Sequence, residues 1–403
     1  MEQRGLKILV LSFYFRPDLS AGSFRATALV DSLRELMPAG SQIDVITSLP
    51  NRYHSFTADP AEAPAKEERL DLSITRVRLP LHKSGLVDQS RAFLSFAREA
   101  IRLTYRRDYD VVFATSSRLM TAALGAWIAR RTKTALYLDI RDIFVDTIKD
   151  VLPRKAAWVA KPVFSRLERF AINRAACVNL VSPGFASYFT SRYPWQRFSY
   201  LTNGIDEEFL TDPVKISCGA SPENDRQLTV VYAGNLGEGQ GMHMIIPGLA
   251  KRMALRLRFK IIGDGGKKAA LERALSTAGV TNVELLPPTK RDGLLEAYRS
   301  ADVLFLHLND YEAFKKVLPS KLFEYAALGK PVWAGVAGYA AEFVRSEIGN
   351  SAVFRPCDVD DAVRSFDTLR LRDEPRVNFV AKYARANISR LLAADILAVG
   401  RGS

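Results

Sequence analysis

The chain has 403 residues, 48% of them hydrophobic and 25% charged, enough for two or three domains with cores of their own. No stretch approaches the roughly 18 apolar residues of a membrane span, and Cys177, Cys218 and Cys357 are too few and too scattered for a disulfide framework or a metal-ligand spacing. The formal net charge is +13, of which residues 1–206 carry +10, but no helix-turn-helix, zinc or base-stacking module accompanies it, so nucleic acid is not an expected partner.

The chain opens into an apolar strand (Leu6–Ser12) with no signal-peptide pattern, so a cytoplasmic location is expected. Strands are predicted at Lys7–Ser12, Ile43–Thr47, Ser73–Arg78, Val111–Ala114, Ala135–Asp139 and Cys177–Val181. Helical patterns lie between them, most clearly near Phe24–Leu36, Arg91–Tyr105, Ala122–Arg130 and Val163–Ala175. Strands alternating with helices predict an α/β, doubly wound parallel sheet over residues 1–206. The segment Ser90–Arg107 mixes Phe93, Phe96, Ala97, Ile101, Leu103 and Tyr105 with five arginines. A basic amphipathic helix of this kind suits the anionic inner face of a membrane, and a solvated helix face is the alternative.

A polar, Asp/Pro/Ser-bearing stretch, Asp212–Arg226, reads as an interdomain linker, placed over residues 207–226. A second α/β domain follows over residues 227–376, with strands at Thr229–Ala233, Phe259–Ile262, Val283–Leu286, Val303–Leu306, Val332–Ala334 and Ala352–Phe354. Residues 377–403 carry a long helical pattern, Val377–Leu397. Asp-x-Asp pairs occur at Asp108–Asp110 and Asp358–Asp360, but the first precedes a strand and the second caps a helix, so both read as structural and no metal is expected. The four histidines form no motif.

The most informative stretch is Pro319–Gly335, which reads as a short helix with Ser320 as N-cap and Gly329–Lys330–Pro331 as its stop. Its first turn joins free backbone N–H groups to the Lys321 ammonium, a combination suited to a phosphate. Glu324, three residues on, faces the same side and can accept two hydrogen bonds from a ribose diol. Two upstream strands also run into glycine turns. Leu228–Gly241 contains Gly234-Asn235-Leu236 and Gln240-Gly241, and Phe259–Gly266 contains Gly263-Asp264-Gly265 with Lys267 just beyond. Neither loop is a Walker A motif or a full dinucleotide fingerprint. Three strand–loop–helix junctions of this kind in order point to a nucleotide.

With these residues in place the chain resembles the family 4 glycosyltransferases, nearly end to end. The resemblance includes Phe13–Arg25 with Gly22, Asn203-Gly204-Ile205-Asp206, and the three loops above. It is nearest to the WbuB-like amino-sugar transferases of bacterial surface polysaccharide (O-antigen and capsule) pathways, in which Arg-Asp follows an N-domain strand, here Arg141-Asp142, and Pro-Ser-Lys-x-Phe-Glu-Tyr-Ala-Ala opens the ribose helix. The resemblance implies the GT-B fold, two doubly wound parallel-sheet domains facing across a cleft. The N-terminal domain would bind the acceptor, the C-terminal domain the nucleotide sugar, and the final helix would cross back to the N-terminal domain.

It also implies retaining transfer of a sugar, such as the N-acetylated deoxyamino sugar L-fucosamine, from a UDP-sugar donor to a lipid-linked or saccharide acceptor. The enzyme would sit peripherally on the inner face of the bacterial plasma membrane. The implied catalytic set is Arg141, Asp142 and Lys321, and the implied donor-binding set is Gly22, Asn235, Leu236, Gln240, Gly263, Asp264, Gly265, Lys267, Ser320, Lys321 and Glu324. Two departures stand out. The Arg and Lys that many members place around the first C-terminal loop are Asn235 and Gln240 here, and the earlier acid of the family's glutamate pair is replaced by Lys316. Lys321 is the expected replacement for the lost charge, then Lys267. A GT-B nucleotide-sugar epimerase and a non-catalytic, membrane-associated sugar-nucleotide-binding subunit remain the alternatives.

Overall fold

The computed structural model describes residues 4–18, 20–50, 63–80, 86–116, 119–145, 154–210 and 226–402. They form two compact units, one running to Gly204 and resuming at Arg385, the other spanning Ile205–Ala384. Among the described residues no helix is long and apolar enough to cross a membrane.

The first unit is built on β1 (Lys7–Leu11), β2 (Gln42–Ser48), β3 (Lys66–Glu68), β4 (Leu72–Val77), β5 (Val111–Ser116), β6 (Ala135–Ile140), β7 (Cys177–Leu180) and β8 (Phe198–Ser199). They form one sheet in the order β3-β4-β2-β1-β5-β6-β7-β8, parallel except for the β3–β4 pair. All of β5 is buried, as a strand covered by helices on both faces must be. The two additions to the predicted set are edge strands whose sequences carry no strand signal, a charged triplet (β3) and a two-residue pair (β8).

Helix α1 (Ala21–Leu36) starts where the Ser20 hydroxyl accepts a 3.2 Å hydrogen bond from Ser23 N–H. Helix α2 (Leu86–Leu103) turns its apolar face into this unit. Its Ala92, Phe93, Phe96 and Ala100 are buried, and Phe13 packs on Phe93 and Phe96 with ring centroids 6.5 and 5.2 Å away. The apolar face is spent in the core, and the solvent face is a stripe of Arg91, Leu94, Arg98 and Arg102 continued by Tyr105.

The second unit holds six parallel strands: β9 (Leu228–Ala233), β10 (Leu257–Ile262), β11 (Val283–Leu286), β12 (Val303–His307), β13 (Val332–Gly335) and β14 (Ser351–Phe354). Their order, β11-β10-β9-β12-β13-β14, reverses direction between β9 and β12, the switch point at whose carboxyl edge such sheets bind ligands.

Both predicted boundaries shift. The second unit begins at Ile205, because the turn Glu207–Phe209 buries Phe209 in its core and Arg291 pairs with Asp206 at 2.5 Å. Of the expected linker, residues 211–225 lie outside the described set. The single C-terminal helix is two helices, Val377–Tyr383 and Arg385–Arg401. Ala384 between them is extended and bridges to Ile205, whose N–H donates to Tyr383 C=O at 2.8 Å. Phe379 and Tyr383 belong to the second unit's core. Leu392, Ile396 and Leu397 pack in the core of the first, and Tyr137 donates a 2.7 Å hydrogen bond to Asp395 there.

The Asp-x-Asp carboxylates have structural partners. Asp110 accepts from Lys7 N–H at 2.7 Å, and Asp358 caps the Val359–Phe366 helix through Asp361 N–H at 2.9 Å.

Candidate functional site

The predicted residues divide between the units. Gly22, Arg141 and Asp142 belong to the first; Asn235, Leu236, Gln240, Gly263, Asp264, Gly265, Lys267, Ser320, Lys321 and Glu324 belong to the second. In each unit they gather at the carboxyl ends of strands.

In the second unit the three loops meet. Leu236 N–H donates to Asp264 C=O, and Lys267 N–H to Leu236 C=O, each at 2.8 Å. Gly234 and Gly263 both have φ near +150°, a region that glycine alone enters freely, and a Cβ on Gly263 would run into the Gly234 carbonyl. The first and second glycine turns therefore touch backbone to backbone. Lys321 reaches the same place from its helix, for a Cβ on Gly234 would collide with the Lys321 ammonium, and the ammonium lies 6.0 Å from the centre of the Tyr232 ring. Tyr232 in turn donates to Asn235 C=O at 2.7 Å. Lys321 and Glu324 are the half-buried positions of a helix, Lys321–Ala327, whose other side chains are buried, so the predicted shared face exists.

Three expectations need correction. Ser320 holds the N-cap position, but its backbone is already helical and its side chain makes no capping hydrogen bond. Lys267 is bound at 2.7 Å to Glu238, which also accepts from Tyr311 at 2.7 Å, so its charge is spent inside the loop. Asn235 and Gln240 bond to each other, Nδ2 to Oε1 at 3.0 Å, and the same oxygen accepts from Gly237 N–H at 3.3 Å. The substituted pair braces the loop at the positions where many family members carry cations. Asp264 is exposed, and one of its oxygens accepts from Gly265 N–H at 2.8 Å.

The sequence pattern did not mark His307, the last residue of a buried strand. Its Nε2 accepts from Cys357 N–H at 2.9 Å, so the proton is on Nδ1, which donates to Gln240 C=O at 2.7 Å. Asn309 adds a 3.0 Å bond to Glu238 C=O, and Asn309 N–H donates to Gly239 C=O at 2.8 Å. Residues of β12 and just beyond it thus hold the first glycine loop across the switch point. Burial pushes His307 down to about 4. Its unfolded value near 6.5 is higher, so the unfolded chain binds the extra proton and stability falls as pH drops from 6.5 towards 4, by about 3 kcal/mol. Chemical denaturation at a series of pH values should show this slope in the wild type and lose it in His307→Gln; equal slopes would remove the histidine from this role.

In the first unit, a Cβ on Gly22 would lie 2.9 Å from Arg141 Nη1, so the glycine admits the guanidinium beside the start of α1. That nitrogen is buried and has no hydrogen-bond partner among the described residues. Arg141 is lowered to about 10, chiefly by burial; Asp139 and Asp142 oppose the shift, and nearby Arg25 and Arg385 add to it. Close-packed surroundings push Asp142 up to about 6 against the pull of Arg141. Its side chain is nevertheless exposed, and hydration keeps the carboxylate ionised near neutral pH. Beneath them, Arg25 and Asp139 form a buried bidentate pair, both bonds 2.9 Å.

Two family models match the chain. One, described as a glycosyl transferase 4-like domain, covers residues 26–204; the other, glycosyl transferases group 1, covers residues 218–386. A 105-residue stretch is 33% identical to an Escherichia coli (strain K12) protein named for colanic acid biosynthesis, glycosyl transferase WcaI, and spans 26% of this chain and 26% of that protein. Solved structures share the fold along almost the whole chain. Sucrose-phosphate synthase from Thermosynechococcus elongatus aligns with a TM-score of 0.64 at 14% identity, covering 98% of this chain and 97% of that one. Anabaena HepE in complex with UDP gives 0.60 at 16%, covering 98% of both. The lipopolysaccharide outer core galactosyltransferase WaaB gives 0.61 at 12%, covering 98% and 99%. These likenesses establish the GT-B fold.

Proposed function

With a glycosyl transferase 4-like first unit and a group 1 second unit this chain is a family 4 glycosyltransferase, and we propose that it transfers a sugar from a UDP-sugar to a lipid-linked saccharide acceptor in bacterial surface polysaccharide synthesis. One observation carries the donor assignment. Two glycine turns and the Lys321–Ala327 helix meet at the switch point of a parallel sheet, with the Lys321 ammonium against the Gly234 backbone. The HepE structure contains UDP, and WcaI and WaaB are named for colanic acid and lipopolysaccharide synthesis, which supports the choice of donor and pathway. An N-acetylated deoxyamino sugar such as L-fucosamine is the donor we would test first.

In this reading the ribose diol bonds to Glu324, and the diphosphate lies against the glycine turns and Lys321. The buried Nη1 of Arg141, which has no partner among the described residues, is a donor suited to an anion. Cationic side chains, not a divalent ion, then neutralise the leaving diphosphate. Lys316 occupies the place of the earlier family acid, so that position offers no carboxylate nucleophile. Transfer with retention then follows internal return. The C1–O bond to the β-phosphate breaks, the acceptor oxygen bonds C1 on the same face, and its proton passes to the departing phosphate.

Incubation with a sugar-nucleotide panel tests the proposal: transfer or hydrolysis supports it, epimer formation would replace it with the epimerase, and binding without turnover with the non-catalytic subunit. Glu324→Ala is expected to weaken UDP binding by one or more orders of magnitude, since each hydrogen bond to a charged acceptor contributes about 1.5–3 kcal/mol. Calorimetry giving an unchanged affinity would remove Glu324 from the ribose site. We also place the enzyme peripherally on the inner face of the plasma membrane, supported by the +10 charge of residues 1–206 and the exposed arginines of α2.

A further inference from the structure

The first unit carries, away from Arg141, a groove of about 560 Å³ between the carboxyl end of β4 and α2. Arg76 and Arg78 line one wall, and Arg91, Leu94, Arg98 and Glu99 the other. Its charges are unevenly matched. Glu99 is bound to Arg102, outside the groove. Arg76, whose side chain is 1% exposed, pairs with Glu67 and donates to the Pro64 and Arg16 carbonyls, yet its Nε is buried with no hydrogen-bond partner among the described residues. Arg78, Arg91 and Arg98 have neither an ion pair nor a hydrogen bond among the described residues. Three guanidinium groups around one groove repel each other, and no partner among the described residues offsets that repulsion. An anion would.

The chemistry of that anion can be narrowed. Guanidinium forks match the paired oxygens of phosphates and of carboxylates, and three of them around one groove exceed what a single carboxylate needs. Three cations suit the two to three negative charges of a diphosphate ester. Leu94, 59% exposed on the same wall, offers an apolar contact that a free inorganic ion does not use. The arginine stripe of α2 continues from the groove through Arg102 to Tyr105, a surface suited to an anionic lipid layer around such a ligand. A strand's carboxyl end is also where open α/β sheets take ligands. We propose that this groove binds the diphosphate headgroup of a lipid-linked substrate, with the phosphates on Arg78, Arg91 and Arg98 and the start of the chain against Leu94. This deepens, and rests on, the reading that the acceptor is lipid-linked.

The test is calorimetry with geranyl diphosphate and with inorganic pyrophosphate, both under saturating UDP so that the nucleotide site is occupied. Wild type should bind geranyl diphosphate more tightly than pyrophosphate, and added salt should weaken both. R78A/R98A should weaken both ligands at least tenfold with UDP affinity unchanged, and Leu94→Ser should remove only the advantage of the geranyl chain. Equal binding by wild type and R78A/R98A overturns the site. If pyrophosphate matches geranyl diphosphate and Leu94→Ser has no effect, the lipid assignment falls. Should R78A/R98A lose binding to phosphatidylglycerol vesicles but not to soluble geranyl diphosphate, the arginines read a surface and the diphosphate site is overturned. Failure of wild type to bind UDP would sink the donor reading alone, since the groove lies wholly in the first unit.

Discussion

Lys321→Ala is expected to lower turnover by about two to three orders of magnitude while changing UDP affinity much less. The family's two cations are Asn235 and Gln240 here, and those side chains are bonded to each other. Lys267 is bound to Glu238. Lys321 is then the lysine of the second unit best placed for the diphosphate, packed against the glycine turn where backbone can approach it. Charge on the leaving diphosphate grows as the sugar–phosphate bond breaks, so a fixed ammonium there acts mainly on the transition state. Loss of one such donor commonly costs a factor of about 10²–10³ in kcat. Lys267→Ala should cost less. Steady-state kinetics with the donor identified from the panel decides the matter: near-full turnover in Lys321→Ala, with Lys267→Ala or Arg141→Ala inactive, would place the charge elsewhere.

Asp139→Ala should destabilise the first unit by about 3–5 kcal/mol, the usual cost of stranding one half of a buried ion pair. Asp139 accepts two hydrogen bonds from Arg25, one from Asn179 at 2.8 Å and one from Thr115 at 3.2 Å, and both charged side chains are almost fully buried. Arg25 also donates to Thr202 C=O at 2.6 Å and Leu201 C=O at 2.9 Å, so the network anchors the last loop before the chain leaves this unit. Burial alone would raise the Asp139 carboxyl, but the charge of Arg25 and the hydrogen bonds outweigh it and the net shift is downward. A depressed carboxylate contributes stability above its unfolded value near 3.9 and loses it as pH falls through the folded one. This acid window lies below that of His307, so the two can be separated by variant. The double change Arg25→Met/Asp139→Leu should recover much of the loss. A cost under 1 kcal/mol for Asp139→Ala in urea unfolding would show that the pair does not hold the loop.

The strands were legible because burial on both faces of a parallel sheet leaves continuous apolar runs. All twelve predicted strands are present, and the β3 and β8 additions sit at sheet edges where no such run is required. The Lys321–Ala327 helix was legible too, since Gly329 does stop it, with φ +70°, and its two half-buried positions carry the polar residues. Helix α2 shows the limit of pattern. Its periodicity located an apolar face, but what covers that face is a tertiary fact, and Phe13 covers it.

By itself, then, the sequence determined two α/β sheets and the order of the glycine turns, because those depend on local backbone freedom and on apolar periodicity. Contacts between distant segments decided the rest. Ala384 interrupts a continuous helical pattern because its extended backbone bridges to Ile205, nearly 180 positions earlier. Lys267 pairs with Glu238, and His307 reaches both Gln240 and Cys357. Nothing local marks such residues. A hydrogen bond or ion pair is satisfied by whichever partner the fold brings within about 3 Å, and that partner has no fixed spacing along the chain.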